Sequence, residues 1–399
     1  MPWKECDLVS VREEFCRLAI LDDVNMSVLC ERFEISRKTG YKWLARFREQ
    51  GMAGLEDRSR RPKKLRGVTS TRMTRQVLAV RDKHPAWGGR KIHRRLVDLG
   101  GRGVPAPSTI TAILRRHDRL SSDEPRSAPP CQRFERSAPN ELWQMDFKGE
   151  FRLTPGTWCH PLTLLDDHSR YSLVLAACGN QRRTTVEEHL RAAFRRYGLP
   201  LAMLMDNGTP WCVPQLRGGA TRLIVWLMDL DIDVLHGRPY HPQTQGKEER
   251  FHRTLSLEVL QGRHFDSLAH AQRRFDPWRK VYNYERPHEA LGLAVPASRY
   301  AVSVRAYPER PAAFTYDTSL TVRRVDSEGR LTYENREYYL SKAFRGRYVG
   351  VRSTDEDGVQ AVYYRTFRIA TLHPRQSKPR RRGLVLTRCA RQNQTTAKE

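Results

Sequence analysis

The chain has 399 residues and carries 71 Lys plus Arg against 45 Asp plus Glu, a formal charge of +26. That length exceeds one ordinary domain, and 39% hydrophobic with 9% aromatic residues supplies several cores, which excludes wholesale disorder. The charge calls for a polyanionic partner, nucleic acid ahead of an anionic membrane, and no apolar run approaches the roughly 18–20 residues that span a bilayer.

Residues 1–10 contain Lys4, Glu5 and Asp7 and lack the basic-then-apolar order of a secretory signal, so a cytoplasmic chain is expected. The eight cysteines show no paired spacing and no C-x-x-C, and read as reduced thiols. Cys6, Cys16, Cys30, His84 and His93 are too irregularly spaced for a classical zinc finger.

Residues 9–50 read as short helices in a helix-turn-helix pattern. Val28, Leu29, Phe33 and Ile35 precede Ser36, an N-cap candidate, and the following helix over 37–48 carries Leu44 and Phe47 at helical spacing. On it Arg37, Lys38 and Lys42 fall away from the apolar stripe, where they could meet phosphates or base edges; the alternative is a solvated face of a small bundle. The segment 57–66, DRSRRPKKLR, holds six basic residues and one acid and reads as a basic linker, with Arg58, Arg60, Arg61, Lys63 and Lys64 as DNA-contact candidates.

A second helical unit follows, with Val77, Leu78, Ile92 and Leu96 at apolar positions and a helix over 109–116 opened by Pro107-Ser108. Two such units joined by a basic arm favour DNA over a lone bundle, and no RNP-like aromatic signature or KH-type GXXG loop favours RNA. Residues 118–140 are rich in Pro, Ser and charge, as an interdomain linker is. Beyond them, short apolar runs over 142–147, 162–165, 171–177 and 201–205 read as strands of a buried mixed sheet. Helices are expected over 184–197 and 216–230, covering that sheet. After a helical stretch over 246–290, β-rich runs over 314–372, split by Glu328-Gly329 and Asp357-Gly358, suggest a small antiparallel barrel. From Arg375 the tail has eight Lys or Arg and one Glu, and is expected to be electrostatically attracted to DNA.

Asp146 sits inside the first apolar run, LWQMDF, and Asp206 closes the fourth. A carboxylate in or beside a buried strand is costly without a partner. Glu249 stands near the start of a helix opened by HPQTQG, with Phe251, Leu255 and Val259 as its buried stripe. It lies nearly opposite that stripe and could form an i, i+4 bridge to Arg253, whereas Glu248 could pair with His252; helical geometry alone does not choose between the two acids.

The motifs WQMDF, MDNG, YHPQTQGKEERFHRTL and YNYERPHEALG closely resemble the DDE integrase-type transposases, insertion-sequence enzymes that share a catalytic core with retroviral integrases. The resemblance runs over about 143–292, and WGGRKIHRRL and GVPAPSTITAILRR resemble the same group's DNA-binding region. With the composition and patterning above, the chain is expected to divide into helix-turn-helix units over 1–56 and 70–118, linkers over 57–69 and 119–139, an α/β RNase H-like core over 140–300, an SH3-like all-β barrel over 314–373 and a basic tail over 374–399. The resemblance implies that Asp146, Asp206 and Glu249 are the catalytic acids and metal ligands, Glu249 rather than Glu248 because it follows the Gly of Q-G-x-x-E by three residues. The 42 residues between Asp206 and Glu249 exceed the family's usual interval, and the extra length is placed in the 209–222 loop.

The chemistry suits the residue types. Two Mg²⁺ or Mn²⁺ ions about 3.5–4 Å apart can activate an attacking oxygen and neutralise a leaving one. Hard cations demand oxygen ligands, with Asp146 bridging and Asp206 and Glu249 each holding one ion. The expected partners are element-end and target DNA, in an assembly at least dimeric and associated with the nucleoid. Asn207, His241, Gln243 and Lys247 flank the acids, and Lys247 is the one favoured for DNA contact; Trp87, Trp143 and Trp211 read as core or loop anchors. Asp167-His168-Ser169 is a turn rather than a hydrolytic triad, because consecutive side chains diverge. No G-x-x-x-x-G-K-[ST] supports a nucleotide cofactor. A DNA-binding regulator and a simple RNase H-like nuclease are the rival readings.

Overall fold

The computed structural model describes residues 8–58, 69–120, 135–154, 156–206, 208, 211, 220–236 and 246–374. The chain divides into two compact units, Met1–Val68 and Thr69–Glu399.

In the first unit, α1 (Leu8–Leu18), α2 (Met26–Arg32) and α3 (Arg37–Gln50) surround Phe15, Cys16, Leu29, Cys30, Trp43 and Leu44. Asn25 caps α2 by accepting from the Ser27 and Val28 amides, and the Ser36 hydroxyl caps α3 by accepting from Thr39. A Cβ at Gly40 would stand 2.6 Å from the Cys30 sulfur and 2.8 Å from the Phe15 ring, so only glycine lets α3 come this close. Val28, for all its apolarity, is 62% exposed, while Trp43 fills the core.

The second unit opens with α4 (Thr71–Lys83), α5 (Gly89–Asp98) and α6 (Pro107–Arg116). They close over Val77, Trp87, Ile92, Leu96, Ile110 and Ile113. A Cβ on Gly89 would lie 2.4 Å from the Pro107 carbonyl, which explains the second glycine of WGGR as the point where two helix starts touch.

The central sheet contains β1 (Leu142–Phe147), β2 (Phe151–Arg152), β3 (Trp158–Asp166), β4 (Ser172–Cys178), β5 (Ala202–Met205) and β6 (Asp233–His236). Its order is β2-β3-β1-β5-β6, with β4 also paired to β3. β3 runs antiparallel to β1 and β4, and β5 runs parallel to β1 and β6. Hence β1, β4, β5 and β6 all point one way, and their carboxyl ends share an edge. Both faces are apolar, as a doubly covered sheet requires. Trp143, Met145 and Leu164 pack under α7 (Arg183–Tyr197) and α8 (Arg222–Asp229); Leu165 and Leu175 pack under α9 (Gly246–Leu255) and α10 (Leu268–Tyr284).

Three details depart from the sequence reading. The helix expected over 216–230 is described only from Arg222, where the Thr221 hydroxyl caps it by accepting from Ile224; 212–219 lie outside the described residues. β2 and β6 were not anticipated, since two residues and a polar-ended DVLH carry no strand signature. The 246–290 stretch is not one helix: a π-helical turn over Ser256–Leu260 follows α9 before α10 begins.

The remaining strands are β7 (Thr321–Arg324), β8 (Arg330–Tyr333), β9 (Arg336–Tyr339), β10 (Tyr348–Ser353), β11 (Gln360–Tyr364) and β12 (Phe367–Leu372). They form an antiparallel sheet ordered β12-β11-β10-β7 and a β8-β9 hairpin. The hairpin turns through Glu334 and Asn335, both at positive φ. Val325, Leu331, Phe344, Val349, Val351 and Val362 share one core with Ile224, Val225 and Met228 of α8. The core of the all-β part is therefore completed by the outer face of α8. Asp229 locks the seat: its buried carboxylate accepts from the Tyr364 hydroxyl at 2.5 Å and pairs with Arg347 at 2.8 Å and Arg365 at 3.3 Å. Among the described residues no helix is long and apolar enough to cross a membrane.

Candidate active site

The parallel register of β1 on β5 pairs Gln144 with Leu204, so two residues further on Asp146 and Asp206 emerge side by side at the carboxyl edge. The Phe147 amide donates to Asp146 Oδ1 at 2.8 Å, and the Gly208 amide donates to Asp206 Oδ1 at 3.0 Å. A Cβ on Gly208 would sit 2.9 Å from Asp206 Oδ2, so glycine keeps that carboxylate unobstructed. Glu249 lies in the first turn of α9, exposed, while Phe251 and Leu255 anchor the opposite face.

The field couples these acids. Asp146 is pushed up to about 7, first by burial, then by the negative charge of Asp206, with a further contribution from Glu249; the Phe147 amide offsets part of the rise. Burial and two neighbouring acids thus disfavour the ionisation of Asp146. Among the described residues, no three His, Cys, Asp or Glu side chains stand close enough to form a metal-binding group, so the acids share a field rather than a finished coordination sphere.

Behind them lies a buried network that the sequence reading saw only in part. Thr163 faces Asp146 in the β1–β3 register. Its hydroxyl lies 3.0 Å from the Asp146 carbonyl, 3.0 Å from Glu248 Oε2 and 2.9 Å from His252 Nε2. Glu248 is 1% exposed, and its Oε1 has no hydrogen-bond partner among the described residues. Burial and then the Asp146 charge raise Glu248 well above the ordinary carboxyl range. Burial and then Lys148 lower His252 to about 4, leaving a neutral imidazole. Burial and the nearby Asp146 charge thus both disfavour a charged Glu248. The anticipated Glu248–His252 pair is present at 3.5 Å. Thr163 was missed, because which strands pair is not visible in the spacing.

The DDHSR segment is a corner. Asp166 accepts from the Asn140 amide at 2.7 Å and from the Ser169 amide and hydroxyl at 2.8 and 2.6 Å. Asp167 accepts from the Gln144 amide group at 2.5 Å and the Arg136 backbone at 2.9 Å, and it pairs with the Lys247 ammonium. Lys247, expected to face DNA, is turned inward: it ties the start of α9 to this corner. Burial and then Arg170 lower its pKa, and the Asp167 pairing opposes them.

Trp143 and Trp211 are buried, and Trp211 stacks on Phe147 at 5.6 Å between centroids. Arg37, Lys38 and Lys42 are exposed on α3, with the Lys42 ammonium 4.5 Å above the Trp43 ring. Arg58 donates to Gln50 at 2.6 Å. Arg60, Arg61, Lys63, Lys64, Asn207, His241, Gln243 and the tail from Arg375 lie outside the described residues.

Several parts of the chain match known families. Residues 136–242 and 230–296 match integrase core domain models, and 320–379 match the C-terminal domain of IS481 family transposases. Residues 12–63 match a helix-turn-helix domain and 39–114 a homeodomain-like domain. Over 177 residues the chain is 30% identical to an uncharacterised 31.7 kDa protein of insertion element IS407 from Burkholderia multivorans, covering 44% of this chain and 61% of that protein. Over 169 residues it is 30% identical to a 39.2 kDa protein of insertion element IS476 from Xanthomonas euvesicatoria, covering 42% and 46%. An uncharacterised protein, y4oM of Sinorhizobium fredii, is 34% identical over 117 residues, covering 28% and 75%. The chain thus spans only 61% and 46% of the two insertion-element relatives.

Proposed function

The chain belongs to the integrase-core transposases of insertion sequences, and from that premise we propose that it cuts and joins DNA at the ends of such an element. The observation that carries the proposal is the coupling of Asp146 to Asp206 and Glu249 at the carboxyl edge of β1 and β5. Carboxylates that repel one another without a counter-charge are matched to one that arrives with the substrate.

The donor set fits a hard divalent cation, being oxygen-only and bearing excess negative charge. Asp146, Asp206 and Glu249 would hold Mg²⁺ or Mn²⁺, two ions per site. Bound there, the ions supply Lewis-acid activation of water or a 3′-hydroxyl and neutralise the leaving oxygen. The chain's own groups orient the acids. The Phe147 and Gly208 amides fix two carboxylates, and the Lys247–Asp167 pair with the Glu248–Thr163 contact holds the first turn of α9, and so Glu249, against the sheet. The exposed cations of α3, Arg37, Lys38 and Lys42, and the basic residues Arg58, Arg60, Arg61, Lys63 and Lys64 would contact DNA phosphates, and two element ends call for at least a dimer on DNA.

The test is Mg²⁺- or Mn²⁺-dependent nicking of a duplex carrying the element's terminal repeat, by wild type and by Asp146→Asn. Loss of nicking with unchanged binding supports the assignment, and retained nicking refutes it. Binding without products at any metal concentration would favour the regulator, and products that are hydrolysed but never joined would favour the nuclease.

A further inference from the structure

A second charged feature lies at the same end of the molecule as the acids. The amino ends of α7 and α8 follow the carboxyl ends of β4 and β5, so they begin at the edge that carries Asp146 and Asp206. A chain of contacts joins the two places: Phe147 stacks on Trp211, and the Thr221 hydroxyl that caps α8 lies 3.3 Å from the Trp211 carbonyl. There α7, α8 and the segment before β10 enclose a groove of about 320 Å³. Among the described residues Arg183, Arg191, Arg222, Lys342, Arg345 and Arg347 line it, against the single carboxylate of Glu187.

Most of these cations are engaged. Arg183 pairs with Glu187, Lys342 with Glu328 and Arg347 with Asp229, while Arg191 donates to Tyr307 and lies 4.7 Å above the Trp226 ring. The guanidiniums of Arg222 and Arg345 are exposed and have no partner among the described residues. Two unpaired guanidiniums within a cationic wall are matched to phosphate oxygens. Among the described residues no Asn, Gln, Ser or Thr lines the groove, so the amide pairing that reads adenine is missing from them. Such a surface is suited to holding a duplex by its backbone phosphates.

We propose that this groove, shared by the core and the C-terminal sheets, binds the phosphate backbone of the target duplex and sets it against the carboxylate edge. The proposal rests on the transposase reading for the word target; its binding surface stands on the groove alone.

The experiment uses the full chain and two double variants, Arg222→Glu with Arg345→Glu, and Arg222→Lys with Arg345→Lys. Binding to a duplex of unrelated sequence is measured across a salt series, alongside metal-dependent cleavage of the element end and joining of a pre-cut end to unrelated DNA. The other basic segments are common to all three proteins, so the differences isolate the groove. The glutamate pair should weaken binding about tenfold or more, make the log–log salt dependence shallower by about 2, and lower joining to match. End cleavage should stay within about twofold, and the lysine pair, which keeps the charge, should retain most of the wild-type binding. Unchanged affinity and salt slope would overturn the proposal. So would equal loss of cleavage and joining, which would assign the groove to the element end. If wild type neither cuts nor joins, the transposase reading fails, and the salt series still decides whether the groove binds duplex.

Discussion

Replacing Asp146 by Asn should stabilise the metal-free protein, and by an amount that depends on pH. In the folded chain the carboxyl is pushed up to about 7 from an ordinary 3.8. That corresponds to roughly 4 kcal/mol against ionisation. Between those two values the folded state holds a proton that the unfolded state has released, so stability falls as pH rises through the window and the loss is complete above it. The full cost relative to a neutral side chain is about 2 kcal/mol at pH 5 and about 4 kcal/mol at pH 8. The Asp146 side chain is 24% exposed, and solvent screens part of this, so about half is expected in practice. Asn keeps an acceptor for the Phe147 amide and carries no charge. At pH 8 in chelator, calorimetry should therefore show the core transition of Asp146→Asn about 4–8 °C above wild type, with a smaller gap at pH 5. Added Mg²⁺ should raise the wild type and leave the variant unmoved. A variant no more stable than wild type at pH 8 would mean that neither burial nor the neighbouring acids disfavour the Asp146 carboxylate.

Other substitutions divide the site further. Glu249→Gln should reduce metal-dependent cleavage to background, whereas Glu248→Gln should retain most of it, because burial disfavours a charge on Glu248 and Gln can still meet Thr163; the reverse pattern in a cleavage assay would exchange their roles. Gly208→Ala places a methyl 2.9 Å from Asp206 Oδ2 and should weaken metal affinity about tenfold, read by calorimetric titration. Asp229→Ala leaves Arg365 and the Tyr364 hydroxyl facing a gap and should cost about 3 kcal/mol, with faster proteolysis of the C-terminal sheets. Unaltered melting and proteolysis would show that the seat on α8 is held by apolar contacts alone.

What could be read in advance follows from what is local. β1 and β5 are apolar runs that end on an acid, and Ser36 precedes a helical stripe, so each carries its own signal. Thr163 and Glu248 meet only because β3 pairs with β1 and α9 crosses that pair, and spacing does not encode either event. The start of α8 was misplaced because Leu216 extends the apolar pattern past Thr221, whose capping hydroxyl marks the described helix start. The charge of Lys247 alone suggests a DNA contact. Its position on α9 brings it to Asp167, 80 residues away in the chain, and a buried carboxylate outcompetes solvent for the ammonium. The +26 charge indicated a polyanion from the outset, and the fold shows one place where part of it gathers, beside the edge that concentrates negative charge.

The most direct test of the central claim is joining itself. Purified full chain is incubated with Mg²⁺, a duplex ending in the element's terminal repeat and a circular target, and covalently joined strands are counted on a denaturing gel. Wild type should yield joined products whose 3′ ends derive from the element, and Asp146→Asn, Asp206→Asn and Glu249→Gln should each yield none while still binding DNA. Joined products from any of the three variants at wild-type levels would contradict the account.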